Sequence, residues 1–199
     1  MEIKLIILHS ILLLYKMEWL ARFVRTKTIL EDESNFMGAG CLFTNGAHVL
    51  AGFQPNKKTP SISGFGGKRH GTETFTQTAL RETLEELFDV KPVSVHLIEL
   101  IEKNMNPNQV LKQKTKGGLY YILHYTFDDL KQILKYASSY CVDTPLYEEW
   151  PSSIQRLIFH RKIELASEVS HICILPMANQ ITIDENFKRD LCGLKVPSE

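Results

Sequence analysis

Residues 66–89 read GGKRHGTETFTQTALRETLEELFD, a glycine-rich turn leading into a run with helical periodicity. Thr74 stands three residues before Gln77, the spacing of a capping box, which predicts a helix over Phe75–Leu87. At about 100° per residue, with Glu82 set at zero, Glu86 falls near 40° and Glu85 near −60°. Leu80, Leu84, Leu87 and Phe88 fall between about 140° and 240°, on the opposite side. One face of the helix is apolar and suited to a core. The other gathers three carboxylates.

Carboxylates at i, i+3 and i+4 repel, at about a few tenths of a kcal/mol per pair on a solvated helix. The arrangement becomes favourable when a hard divalent cation sits among them. Mg²⁺ suits it: the ion takes oxygen ligands, uses one or two protein carboxylates and leaves room for water and phosphate. Mn²⁺ accepts the same donors and is its natural substitute. Such an ion neutralises phosphate charge, activates water and stabilises a departing oxyanion. Upstream, Gly66-Gly67 permits close backbone approach to a ligand. Lys57, Lys58, Lys68 and Arg69 supply four cations with no acidic residue between them. Lys68 and Arg69, beside the glycines, are candidate contacts to a substrate phosphate. The bland alternative is a surface helix with a solvated acidic face and solvated loop lysines. The Gly-Gly turn, the placement of Glu73 and the cationic flank weigh against it.

Working outward, residues 19–30 predict a strand. GAGCLFT and AHVLAGF flank Asn45-Gly46, which predicts a hairpin with a type I′ turn. Residues 54–72, rich in Gly, Pro and Ser, predict a loop. VSVHLIELI (93–101) and LYYILHYTF (119–127) predict strands joined by a polar, lysine-containing loop. DDLKQILKYASS and PSSIQRLIFHRKIELA, within 128–167, have helical spacing around a loop at Thr144-Pro145. HICIL (171–175) predicts a strand ended by Pro176, and 184–192 a last helix. The sum is α+β: a mixed β-sheet sandwiched between helices.

The 199 residues suit one domain, with 44% hydrophobic and 23% charged content. A formal net charge of zero argues against a broad basic surface for nucleic acid, while leaving room for one nucleotide or a capped RNA end. Cys41, Cys141, Cys173 and Cys192 form no close pair, and the histidines lack ligand spacing, so no zinc site is expected. Cys41 and Cys173, on apolar stretches, read as small buried residues in a reducing, cytoplasmic setting. The apolar run Leu5–Tyr15 falls short of the roughly 18 residues of a spanning helix and lacks a small-x-small cleavage site. Residues 1–16 therefore read as an extension of open role, an extra element on the domain or a dispensable lead-in to Met17, with secretion or membrane anchoring the minor alternative, ahead of a domain over 17–199. Oligomeric state leaves no trace in the sequence.

Gly67, five residues, Glu73, seven residues, then Arg81-Glu82-x-x-Glu85-Glu86 resembles the box of the Nudix hydrolase family. All six glycine and charged positions agree in spacing, over about a ninth of the chain. Thr83, Phe88 and Asp89 depart from the pattern's aliphatic, glycine and aliphatic positions. The missing glycine leaves open how the helix ends, since glycine supplies the left-handed cap there. The resemblance implies that Glu82, Glu85 and Glu86 bind Mg²⁺, that Glu85 serves catalysis and that the Gly67 carbonyl adds a ligand. It also implies that Arg81 pairs with Glu73 to hold the loop. A further carboxylate, a base or ligand, would come from a later loop. Glu168 is the candidate, because Glu168 to Pro176 resembles the acidic-residue, strand and proline segment of the family. Glu148 and Glu149 are its rivals. Residues 128–167 then form a helical insertion ahead of the final strand.

The resemblance implies a magnesium-dependent hydrolase cutting the diphosphate linkage of a nucleoside diphosphate joined to another group. Nucleoside polyphosphates, dinucleotides, sugar nucleotides, capped RNA and diphosphoinositol phosphates all carry such a bond. The alternative is a Nudix-like module that binds a nucleotide without turnover. Retention of three mutually repelling glutamates argues against it.

Overall fold

A computed structural model describes residues 35–140, 144–177 and 184–193. The strand expected over 19–30, the extension 1–16 and Cys141 lie outside the described residues. The architecture is α+β, a mixed seven-stranded sheet with flanking helices, as the element pattern predicts.

Strands β1 (Phe36–Thr44) and β6 (Gly118–Thr126) run parallel at the centre, paired from Phe36↔Leu119 to Thr44↔Thr126. β1 is buried at every position but Met37, as a strand covered on both faces must be. The order is β3-β2-β1-β6-β5, with β4 also paired to β1 and β7 to β2. Here β2 is His48–Gln54, β3 Ser61–Ser63, β4 Phe65–Lys68, β5 Gln109–Thr115 and β7 His171–Pro176. Alternation along β1 sends Cys41 and Phe43 to one face and Leu42 to the other. On the first face lies helix α1 (Phe75–Phe88), whose Phe75 ring stacks on Tyr121 at 4.6 Å. On the second, Phe187 of the last helix packs with Leu42, Val49, Ala51 and Ile122. Among the described residues no helix is long and apolar enough to cross a membrane.

Helix α1 keeps its predicted start, runs one residue past its expected end to Phe88, and keeps its capping box: Thr74 accepts from the Gln77 amide, and the Gln77 side chain accepts from the Thr74 amide. Burying Leu80, Leu84 and Leu87 contributes about 1.5–3 kcal/mol each. Four expectations need correction. Residues 95–104 form helix α2 (Val95–Asn104), not a strand; Leu97, Ile98 and Ile101 repeat at helical spacing and alone of its residues are buried. The lysine-containing segment after it is strand β5, an edge strand whose lysines point outward and mask its alternation. The Gly/Pro-rich 54–72 segment holds two short strands, β3 and β4. The hairpin forms at Asn45-Gly46, but among the described residues near it positive φ occurs at Gly46 alone. There the Asn45 side chain accepts from the Ala47 and His48 amides, an Asx turn in place of type I′.

Helices α3 (Phe127–Ala137) and α4 (Ile154–Phe159) make up the helical part of the expected insertion; residues 160–166, expected to continue the second, are not helical, a further correction. Helix α5 (Glu185–Cys192) follows β7. Cys41 is buried and Cys173 half-buried, and burial pushes the Cys41 thiol up to about 12.

Candidate active site

The acidic face of α1 is not solvated. Glu82 is 9% exposed and Glu86 4%, because this face turns toward β4 and the end of β2. Glu86 accepts from the Gly66 amide at 2.8 Å and from Gln54 Nε2 at 2.9 Å. The Glu82 carboxyl lies against Gly67, where a Cβ would stand 2.3 Å from its Oε2, so a larger residue would push the carboxyl from its place beside Arg81. Gly66 takes φ +153°, a conformation other residues rarely adopt, and so presents its amide to Glu86. The Gly67 carbonyl oxygen faces Gly38 of β1.

Arg81 is the organising cation. Its Nε and Nη2 grip Glu73 at 2.7 and 3.1 Å, Nη2 also reaches the Lys68 carbonyl at 2.8 Å, and Nη1 meets Glu82 at 2.9 Å and Glu85 at 3.4 Å. Glu73 further accepts from the His70 amide and Thr78 hydroxyl. Burial raises the Glu73 pKa, but Arg81 and these donors outweigh it and leave the carboxyl below its ordinary value. Glu82 and Glu86 go the other way. Burial raises both; the nearby Glu168 charge raises Glu86 further, and Glu85 and Glu168 add to Glu82 against the Arg81 contact.

Glu168 thus comes within electrostatic reach of the helix carboxylates. Glu148 and Glu149 stand in exposed pairs with Lys162 and Arg156. Lys68 is exposed. Arg69 donates to the Glu73 carbonyl and lies over the Phe36 ring, which engages it in holding the loop. Lys57 is the loop cation whose charge Glu86 feels. It also lines a cleft of about 780 Å³ that reaches Gln54 and Gly66, the residues holding Glu86. Tyr120, Gln113 and Asp190 form other parts of its wall. Gln113 and Asp190 carry no local motif; only the pairing of β5 with the α5 face brings them together, at 2.5 Å.

The donors suit a hard cation: the carboxylates of Glu82 and Glu86, buried, and of Glu85, half-buried, plus Gln54 Oε1, a buried oxygen without a partner beside Glu86, while Glu168 is exposed. Among the described residues no three acidic, histidine or cysteine side chains converge on one point as they are turned. Glu82 faces Arg81 and Glu86 faces Gln54 and Gly66.

The end of α1 answers the missing glycine. Asp89 takes the left-handed conformation (φ 53°, ψ 38°) and its amide caps the Glu85 carbonyl at 2.7 Å. Arg161 donates to the carbonyls of Glu86 and Leu87, and Thr144 to that of Phe88 at 2.7 Å. All four terminal carbonyls are therefore met.

No protein-family profile and no curated protein sequence matches the chain. Among solved structures it is similar to a bifunctional NMN adenylyltransferase/ADP-ribose pyrophosphatase from Francisella tularensis, complexed with AMP and a manganese ion, at 16% identity and TM-score 0.39. That likeness covers 88% of this chain and 42% of the other, so the chain spans about two fifths of the bifunctional protein. A Nudix-family hydrolase from Clostridium perfringens is similar at 14% identity and TM-score 0.38, over 81% of this chain and 99% of that one. A Nudix hydrolase from Nitrosomonas europaea is similar over 45% and 55%, at 14% identity and TM-score 0.29. In this chain Arg81, Glu82, Glu85 and Glu86 of the box stand on α1 and Glu73 just ahead of its cap, on a mixed sheet with flanking helices.

Proposed function

We propose that the chain is a magnesium-dependent hydrolase of a diphosphate linkage in a nucleotide-like compound. One observation carries the reading. Glu82, Glu85 and Glu86 share one face of a helix that burial would normally empty of charge, and the charge of Glu168, from a separate segment, bears on Glu82 and Glu86. Burying like charges is costly unless a counter-charge accompanies them. Among the described residues Arg81 is one cation facing three carboxylates, Glu73, Glu82 and Glu85, which leaves the cluster short of positive charge.

Glu82, Glu85, Glu86 and the Gly67 carbonyl are the groups that would hold Mg²⁺ or Mn²⁺, which when bound supplies charge neutralisation and water activation. The chain's own residues do the rest. Arg81 fixes Glu82 and Glu85 and ties the glycine turn to the helix through Glu73 and the Lys68 carbonyl. Lys57 stands on the cleft wall, where its ammonium would meet a phosphate oxygen of the substrate. The cleft takes the organic part of the substrate and excludes bulk water around it. In the reaction a water oxygen bonds to phosphorus, the bridging P–O bond breaks, and the water proton passes to the Glu168 carboxylate.

Incubation with Mg²⁺ and a panel of diphosphates tests this; the panel includes nucleoside polyphosphates, sugar nucleotides, capped RNA and diphosphoinositol phosphates. Turnover in heavy-oxygen water should place one label on one product phosphate. Binding of a nucleotide without turnover of any compound would favour the non-catalytic module.

A further inference from the structure

Arg161 is 8% exposed, and among the described residues no carboxylate pairs with it. A buried guanidinium without a counter-ion is expensive unless its N–H groups are met. Here Nη1 and Nη2 are met, chiefly by main-chain carbonyls, while the buried Nε has no partner among the described residues. Two, from Glu86 and Leu87, belong to the C-terminal turn of α1, where the helix dipole adds negative potential. Tyr147 supplies its hydroxyl as an acceptor at 3.3 Å. The third carbonyl is that of Val169, 2.5 Å from Nη2 and one residue beyond Glu168.

Capping the helix explains the first two contacts and not the third. The neighbouring contacts explain it. On the other side of Glu168, the Ser167 hydroxyl donates to Asp89 Oδ2 at 3.3 Å, again at the end of α1. Val169 is buried against Gly52, and Ser170 donates its amide to the Phe53 carbonyl at 3.0 Å. Glu168 is thus bracketed by two ties to the same helix end, one from Ser167 to Asp89 and one through Arg161, which reaches the helix carbonyls and the Val169 carbonyl at once.

We propose that Arg161 is a positioning residue that sets where Glu168 stands relative to Glu82 and Glu86. The inference rests on the hydrolase reading above. A lysine in its place keeps the charge but has no planar fork, so it cannot serve carbonyls from two segments at once. Misplacement of a reacting group by about 1 Å costs on the order of 100-fold in rate.

The test compares Arg161→Lys, Glu168→Gln and their combination in the full chain, with Thr144→Val as the control. Thr144→Val removes a cap at the same helix end without touching Val169. With any diphosphate that the wild type turns over, Arg161→Lys should lower kcat about 10- to 100-fold per folded molecule and leave KM within about twofold. The double variant should be no slower than the slower single variant, while Thr144→Val keeps near wild-type kcat. Multiplying losses in the double variant, or undiminished rate in Glu168→Gln beside a slow Arg161→Lys, overturns the proposal. Amide exchange gives a readout free of turnover. Glu168 and Val169 should exchange faster in Arg161→Lys than in Thr144→Val, with β1 amides unchanged. Equal protection of those two amides in both variants overturns the proposal even if no substrate is cleaved.

Discussion

The Phe88 ring stacks on Trp150, centroids 4.4 Å apart and planes 27° apart, at the position where the box pattern has a glycine. Phe88 is fully buried, and the Tyr147 ring also meets it, tilted by 55° with centroids 6.0 Å apart. The departure from the pattern is therefore an anchor. The helix runs on to Phe88, plants a ring among residues from the segment following α3, and leaves the left-handed turn to Asp89.

Phe88→Gly, which restores the box pattern, should destabilise the chain by about 3–5 kcal/mol, the cost of emptying a large aromatic site. Trp150→Ala should cost less when added to Phe88→Gly than alone, because the two rings share one contact. Urea unfolding midpoints of the four proteins check this. Additive losses would show that the rings are energetically independent.

Arg81 and Glu73 form a bidentate pair whose side chains are 9% and 20% exposed. A lysine cannot reproduce the fork that also serves the Lys68 carbonyl. Arg81→Lys should lose about 2–3 kcal/mol of stability, at the low end for a broken buried pair. It should also raise proteolytic cleavage within residues 66–73. Wild-type stability and cleavage in this variant would mean that the glycine turn is held by other contacts.

Glu86→Gln keeps an oxygen to accept from Gly66 or Gln54 and removes one of the crowded buried charges. Without divalent ions it should be at least as stable as the wild type. Millimolar Mg²⁺ should raise the wild-type melting temperature, by about 2.7 kcal/mol of stability at a hundred times Kd. The variant should show little shift and turn over about 100-fold more slowly or worse. Scanning calorimetry with and without EDTA decides it: equal Mg²⁺ shifts in both proteins would remove Glu86 from the ion's ligands.

The box, its capping residues and the central strands were legible because each is written in consecutive residues. The reach of Glu168 toward Glu86 was readable only by resemblance, since 82 residues separate them in the sequence. Helix α2 misleads because Val93, Val95, Ile98 and Ile101 favour strands locally, while the helical spacing of Leu97, Ile98 and Ile101 prevails once they meet α1. Strand β5 hides behind Lys112 and Lys114, which an edge strand tolerates and a central one would not. Arg161 and Thr144 gave no signal at all. Capping a helix from 74 and 56 residues away leaves no local pattern.

Asp190 ties the cleft wall to pH. Burial pushes its carboxyl up to about 7, against the donation from Gln113. Its ordinary value is 3.8, so between 3.8 and about 7 the folded chain holds a proton that the unfolded chain has lost. The slope follows the difference in bound protons, so stability falls as pH rises through that window. The contribution is fully present below 3.8 and gone above about 7. Asp190→Asn keeps an oxygen for Gln113 and has no proton to lose. The variant should therefore be about 1–2 kcal/mol more stable relative to wild type at pH 8 than at pH 5, after allowance for partial exposure. Urea midpoints of both proteins at the two pH values measure the difference of differences. An offset that stays the same at pH 5 and pH 8 would mean that Asp190 ionises as it does in the unfolded chain, with the cleft open enough to hydrate it.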